Sequence, residues 1–132
     1  MDGTRVLAAA LAVVALIAAL PTPSAQPPSY AADIEPIFLK ECQSCHTLDT
    51  PKADLILDPG TGFRALTEQG STQVTGARLV VPGDVEGSYL WAKLLGTTEI
   101  GKGMPRTLFG ARKLPREQLD LVRTWIETGA QP

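Results

Sequence analysis

Both cysteines of this chain and its single histidine fall in one run of five residues, Cys42-Gln43-Ser44-Cys45-His46. That concentration limits what the chain can be built around. Two thiols three positions apart, followed at once by an imidazole, can add across the two vinyl groups of a haem as thioethers and present His46 to the axis of its iron. The porphyrin would then be fixed to one turn of backbone, and the remaining side chains would have to pack around it. No other residue of the chain can supply that imidazole.

Three other uses of the motif account for less of it. A structural zinc site is closed by four ligands, and Cys42, Cys45 and His46 exhaust the thiolates and imidazoles at three. A redox dithiol of the thioredoxin kind opens a helix directly after a buried strand, whereas the residues before Cys42 read as a helix. A simple disulfide leaves His46 without a role.

The amino terminus points to export. Val6 to Leu20 is an unbroken apolar run of fifteen residues behind Arg5, shorter than the ~20 needed to span a bilayer as a helix. Residues 1–25 are expected to be a signal peptide cleaved after Ala25, placing the chain in the periplasm or otherwise outside the cytoplasm. Pro23 fits such a site poorly, so cleavage as late as Ala32, or an uncleaved segment tethering the protein to a membrane, stays open. Haem is joined to such motifs outside the cytoplasm, and the two signals agree. Residues 26–32 are expected to be a flexible linker and residues 33–132 one domain.

Without the signal the chain is lean in apolar residues, 38% over residues 26–132 against 44% for the whole. A domain of this size is near the limit at which its own side chains suffice for a core, and a bound porphyrin would add a large apolar body. The expected class is all-α, with about four helices joined by Gly/Pro-rich loops and no strand alternation. Asp33 suits an N-cap, and Pro36 is tolerated in the first turn of a helix that runs to about Glu41 and delivers Cys42. A short helix is expected from Gly62 to about Gln69. Asp84 is expected to cap a third, with Tyr89, Leu90, Lys93 and Leu94 at helical spacing and Gly96 as its stop. Pro115 opens the last, in which Leu119, Val122 and Ile126 follow an apolar stripe widened by Leu121 and Trp125, with Gly129 at its end. The first and last helices should pack together, with Phe38 and Trp125 in contact.

An iron held by one histidine has an opposite face to fill. Met1 leaves with the signal, so Met104 is the sole thioether of residues 26–132. It lies in Gly101-Lys102-Gly103-Met104-Pro105, where the glycines permit close backbone approach and Pro105 stiffens the exit. Lys93 and Lys102 are further candidates, and an empty sixth position is another. Ligation by a side chain suits electron transfer, because neither redox state gains or loses a ligand. An open position would suit a haem peroxidase or a ligand-binding sensor, although no second histidine is present to act as acid-base group.

Together these residues resemble a monohaem class I cytochrome c. The resemblance rests on Cys42-x-x-Cys45-His46 after a helix, the Gly103-Met104-Pro105 loop, and a last helix ending Trp125-Ile126-x-x-Gly129-Ala130. Val81-Pro82-Gly83-Asp84 and Ser88-Tyr89-Leu90 are most similar to the planctomycete-type cytochrome c domain, and the likeness covers about Ala32 to Ala130. It implies a small cytochrome c fold around one haem c held by two thioether bonds. Cys42, Cys45, His46 and Met104 would bind the cofactor, with His46 and Met104 as the iron ligands. The function implied is electron transfer by a carrier, or by the carrier subunit of an oxidoreductase, rather than catalysis by this chain alone. The family often has a second proline after Met-Pro, where this chain has Arg106.

The formal net charge of −2 is unevenly spread, since Ile100 to Leu114 holds Lys102, Arg106, Arg112 and Lys113 without a carboxylate. If the Met104 loop flanks the haem edge, this strip would steer an acidic redox partner into place, or neutralise haem propionates. An exported, mildly acidic chain speaks against nucleic acid as a partner.

Overall fold

The computed structural model describes residues 26–132, so the expected signal peptide lies outside the described residues. The described chain is mainly helical. A π-helical turn, Tyr30–Ile34, runs directly into α1, Glu35–Glu41; α2 spans Gly62–Glu68, α3 spans Tyr89–Leu95 and α4 spans Arg116–Glu127. Two short strands, β1 (Arg106–Thr107) and β2 (Gly110–Ala111), pair antiparallel as a small hairpin between α3 and α4. None of the described helices is long and apolar enough to cross a membrane.

The first helical segment starts earlier than Asp33. Ser29 is its cap, accepting the Ala32 amide on its hydroxyl at 3.2 Å, while the Asp33 carboxylate reaches back to the Ser29 amide at 2.8 Å. The two side chains thus satisfy amides that have no partner within the helix. Pro36 sits in the first turn of α1, where no internal bond is lost.

This early start brings Tyr30 into the core at 3% exposure, although the sequence placed it in a linker. Its ring packs against Phe38, Phe63 and Trp125, with centroids 6.3, 5.7 and 5.6 Å away. The expected meeting of the first and last helices is therefore made through the Tyr30–Ile34 turn, which packs on α4, with Tyr30 lying between Phe38 and Trp125. One carbonyl closes the ends: Gln131 accepts the Tyr30 amide at 2.9 Å and Trp125 Nε1–H at 2.8 Å. Gly62, opening α2, lies so close beneath Tyr30 that an added Cβ would fall 2.0 Å from Tyr30 Oη.

The third helix also differs at its start. Ser88, not Asp84, occupies the N-cap position; the Asp84 carboxylate instead accepts the Gly87 amide at 2.9 Å and closes a turn before the helix. Buried Ser88 donates to the Asp84 carbonyl and accepts the Val81 amide. Gly96 ends α3 in the left-handed conformation at φ 73°, as its position suggested. In α4, Val122, Trp125 and Ile126 form the buried face. The amide of Gly83 donates to the Ile126 carbonyl and that of Val80 to the Leu66 carbonyl, so the 80–83 segment joins α4 to α2.

Truncating Tyr30 should therefore loosen both ends of the domain. Tyr30→Ala is expected to cost about 3–5 kcal/mol, the range for a deleted core aromatic. A urea-unfolding midpoint within error of the parent protein would refute that role.

Candidate functional site

Helix α1 ends at Cys42, whose amide bonds to the Phe38 carbonyl at 2.9 Å. Gln43–Cys45 then form one 3₁₀ turn, and the His46 amide donates to the Gln43 carbonyl at 3.0 Å. The motif is thus a tight helical exit. Asp58 holds this exit from across the loop, accepting Gln43 Nε2 at 3.1 Å and the Leu48 amide at 2.9 Å. The His46 carbonyl takes the Leu57 amide at 2.7 Å.

Met104 arrives from the other side. Its amide donates to the Lys93 carbonyl at 2.8 Å, which docks the loop on the end of α3. Glycine at 103 eases the approach, since a Cβ there would stand 3.0 Å from Gly96 Cα. Beyond Pro105, the Arg112 amide bonds to the Pro105 carbonyl at 2.9 Å, and the Arg112 guanidinium pairs with the Glu41 carboxylate at the end of α1. The hairpin is therefore tied to the helix that delivers Cys42. One of the four cations in the 100–114 strip has an internal partner, which leaves Lys102, Arg106 and Lys113 as its outward charges.

The two sides enclose two adjoining cavities, of about 340 and 360 Å³. Cys42, His46 and Met104 line both, together with Lys52 and Arg106, while Cys45 lines the second. Phe38, Leu55, Leu57, Leu66 and Leu94 make the first cavity largely apolar. The four residues singled out in the sequence are brought together here although Met104 is remote from the motif in the chain.

His46 is 8% exposed, and its Nδ1 is buried without a partner in hydrogen-bond geometry. Burial pushes the imidazole below its ordinary pKa, and the Lys52 charge adds to the shift, against the pull of the Leu55 and Lys52 backbone. Neutral imidazole is the form that ligates a metal. Both cysteines are free and half-buried. The Cys42 thiol is pushed up to about 12, first by burial, then by Glu41, with Arg112 acting in the opposite sense and Cys45 adding a little. Among the described residues no three His, Cys, Asp or Glu side chains converge as a metal site, so the zinc reading lacks a donor set.

These features fit a covalently held haem. A half-buried thiol, a buried imidazole and a thioether line both cavities, and the second thiol lines the second. Lys52, Asp58 and the Ser71–Gln73 segment, which also lines the first cavity, were not visible as site residues in the sequence. They lie on loops without periodicity and join the site through the fold.

No protein-family model matches the chain, and no curated protein and no solved structure matches it.

The raised Cys42 thiol has a measurable consequence. With Cys45 replaced by serine in haem-free protein, alkylation of Cys42 should accelerate about tenfold per pH unit between pH 8 and 10, because the thiolate is the nucleophile and remains a minor species throughout. A rate that levels off by pH 9 would show an ordinary thiol.

Proposed function

We propose that the chain is an exported monohaem c-type cytochrome that carries electrons, with a cytochrome c fold around one haem. One observation carries this reading: Cys42, His46 and Met104 meet on the wall of the same largely apolar cavities, with Cys45 on the second. Cys42 and Cys45 would hold the cofactor by thioether bonds, and His46 and Met104 would be the ligands of its iron. When bound, the haem supplies a one-electron couple between ferrous and ferric iron.

The protein's own part is to keep the ligands still. Asp58 and the Leu57 amide hold the His46 loop, and the Lys93 carbonyl holds the Met104 amide. Phe38 and the leucines that line the first cavity would keep water from the bound group, and Met104 would supply a thioether ligand, which favours ferrous iron and raises the potential. Lys102 and Arg106 line the first cavity with Met104, and with the exposed Lys113 they suit an acidic redox partner. A membrane contact follows if the amino-terminal apolar run is retained.

Production in a host with a haem-maturation system tests the reading directly. The purified protein should be red, heavier than its polypeptide by one haem, and reversibly reducible. Colourless protein at the bare polypeptide mass would overturn it. Met104→Ala should lower the potential and admit carbon monoxide to the iron. An unchanged potential and spectrum would remove Met104 as a ligand, and rapid carbon monoxide binding by the parent protein would favour the peroxidase or sensor reading instead.

A further inference from the structure

Four cations, Lys52, Lys93, Lys102 and Arg106, line the first cavity on a mostly apolar wall, and Lys93 is the one that is buried. Lys93 lines it and is 7% exposed. Its ammonium donates to the Lys102 carbonyl at 3.2 Å and lies 5.0 Å from the centre of the Tyr89 ring. Both are neutral partners. No carboxylate among the described residues pairs with it. An ammonium carries three donors, and one of them is accounted for by a hydrogen bond. Burying a cation against a single carbonyl and a ring face leaves its charge uncompensated, which is costly.

Gln73 completes the place. A Cβ set on Gly101 would lie 2.3 Å from Lys93 Nζ, 2.9 Å from Gln73 Oε1 and 3.1 Å from Gln73 Nε2, so the cation and the amide converge beside one glycine. The Gln73 segment is anchored to the opposite lip, where Thr72 Oγ1 donates to the Ala53 carbonyl at 3.0 Å. Charge, donor geometry and an adjoining apolar wall match a ligand with an apolar body and a carboxylate at its edge.

We infer that Lys93 and Gln73 form a carboxylate subsite in this cavity, occupied by a propionate of the haem. The inference rests on the proposed function. Lys93 then plays two parts through different atoms: its carbonyl docks the Met104 loop, and its ammonium neutralises the propionate. A positive charge fixed beside the cofactor favours the ferrous form and holds the potential up. Lys93→Met removes the charge and leaves the carbonyl in place, which separates the two parts.

The test uses holoprotein bearing haem labelled with carbon-13 at its propionate carboxylates, read by redox-difference infrared spectroscopy and potentiometry. In Lys93→Met the labelled carboxylate bands should shift and the potential should fall, while the sulfur-to-iron charge-transfer absorption stays. Lys93→Arg should keep the potential near that of the parent. Gln73→Leu, at an exposed side chain, should shift the labelled bands with a smaller change in potential, because it removes a hydrogen bond rather than a charge. Labelled bands at parental positions in both Lys93→Met and Gln73→Leu would overturn the inference while leaving the haem reading intact. Should Lys93→Met fail to accumulate, the Gln73→Leu bands and the Lys93→Arg potential decide. A parent protein without haem overturns the proposed function itself, and the subsite with it.

Discussion

A single carbonyl oxygen, that of Gln131, sets the frame in which everything else sits. It receives the backbone amide of Tyr30 and the indole N–H of Trp125, so the start of the first helical segment and the buried face of α4 are fixed to one point. Tyr30 and Trp125 then pack ring against ring, with Phe38 and Phe63 on the other sides of Tyr30. With its origin pinned, the seven-residue α1 can end in one place only, and that place is Cys42. A buried aromatic cluster of this kind contributes by area and by edge-to-face geometry together. Here it also aims a helix.

The site is assembled by two independent supports that meet across a cavity. On one side, Asp58 and Leu57 brace the turn that carries His46. On the other, the end of α3 receives the Met104 loop through the Lys93 carbonyl and the glycine contact at 103. The Glu41–Arg112 pair links the two sides. Glu41 is nearly covered while Arg112 is partly open to solvent, so the pair acts more as a latch on geometry than as a large source of stability.

How much of this was legible in the sequence depends on how local each feature is. The Cys42–His46 motif was readable because its chemistry is contained in five neighbouring residues. Helix α4 followed from apolar spacing, and the end of α3 from Gly96. The start of the chain misled, because Pro27, Pro28 and Ser29 resemble a linker, whereas Ser29 caps a helix and Tyr30 is core. Asp84 has the composition of a cap, but its carboxylate is used up on Gly87, leaving Ser88 at the cap position. The hairpin gave no alternation to detect, having two residues per strand. Met104 was singled out by elimination, since residues 26–132 hold no other thioether. Lys52, Asp58 and Gln73 had no such scarcity to mark them, and only the folded chain connects them to the motif.

The hairpin between β1 and β2 places Leu108 and Phe109 wholly in water, at 100% and 101% of their reference exposure. Two adjacent greasy side chains on a protruding turn are adhesive, and a short unpaired strand edge beside them invites stacking between copies. Arg106 and Lys113, both exposed, flank that tip in the chain, while Arg112 is paired with Glu41. Like charges there act as gatekeepers, holding copies apart at a range set by the Debye length, about 8 Å in physiological salt. The colloidal behaviour of this protein is thus tied to a few arginine and lysine side chains, and concentrated salt, which shortens that range to about 3 Å at 1 M, removes the protection.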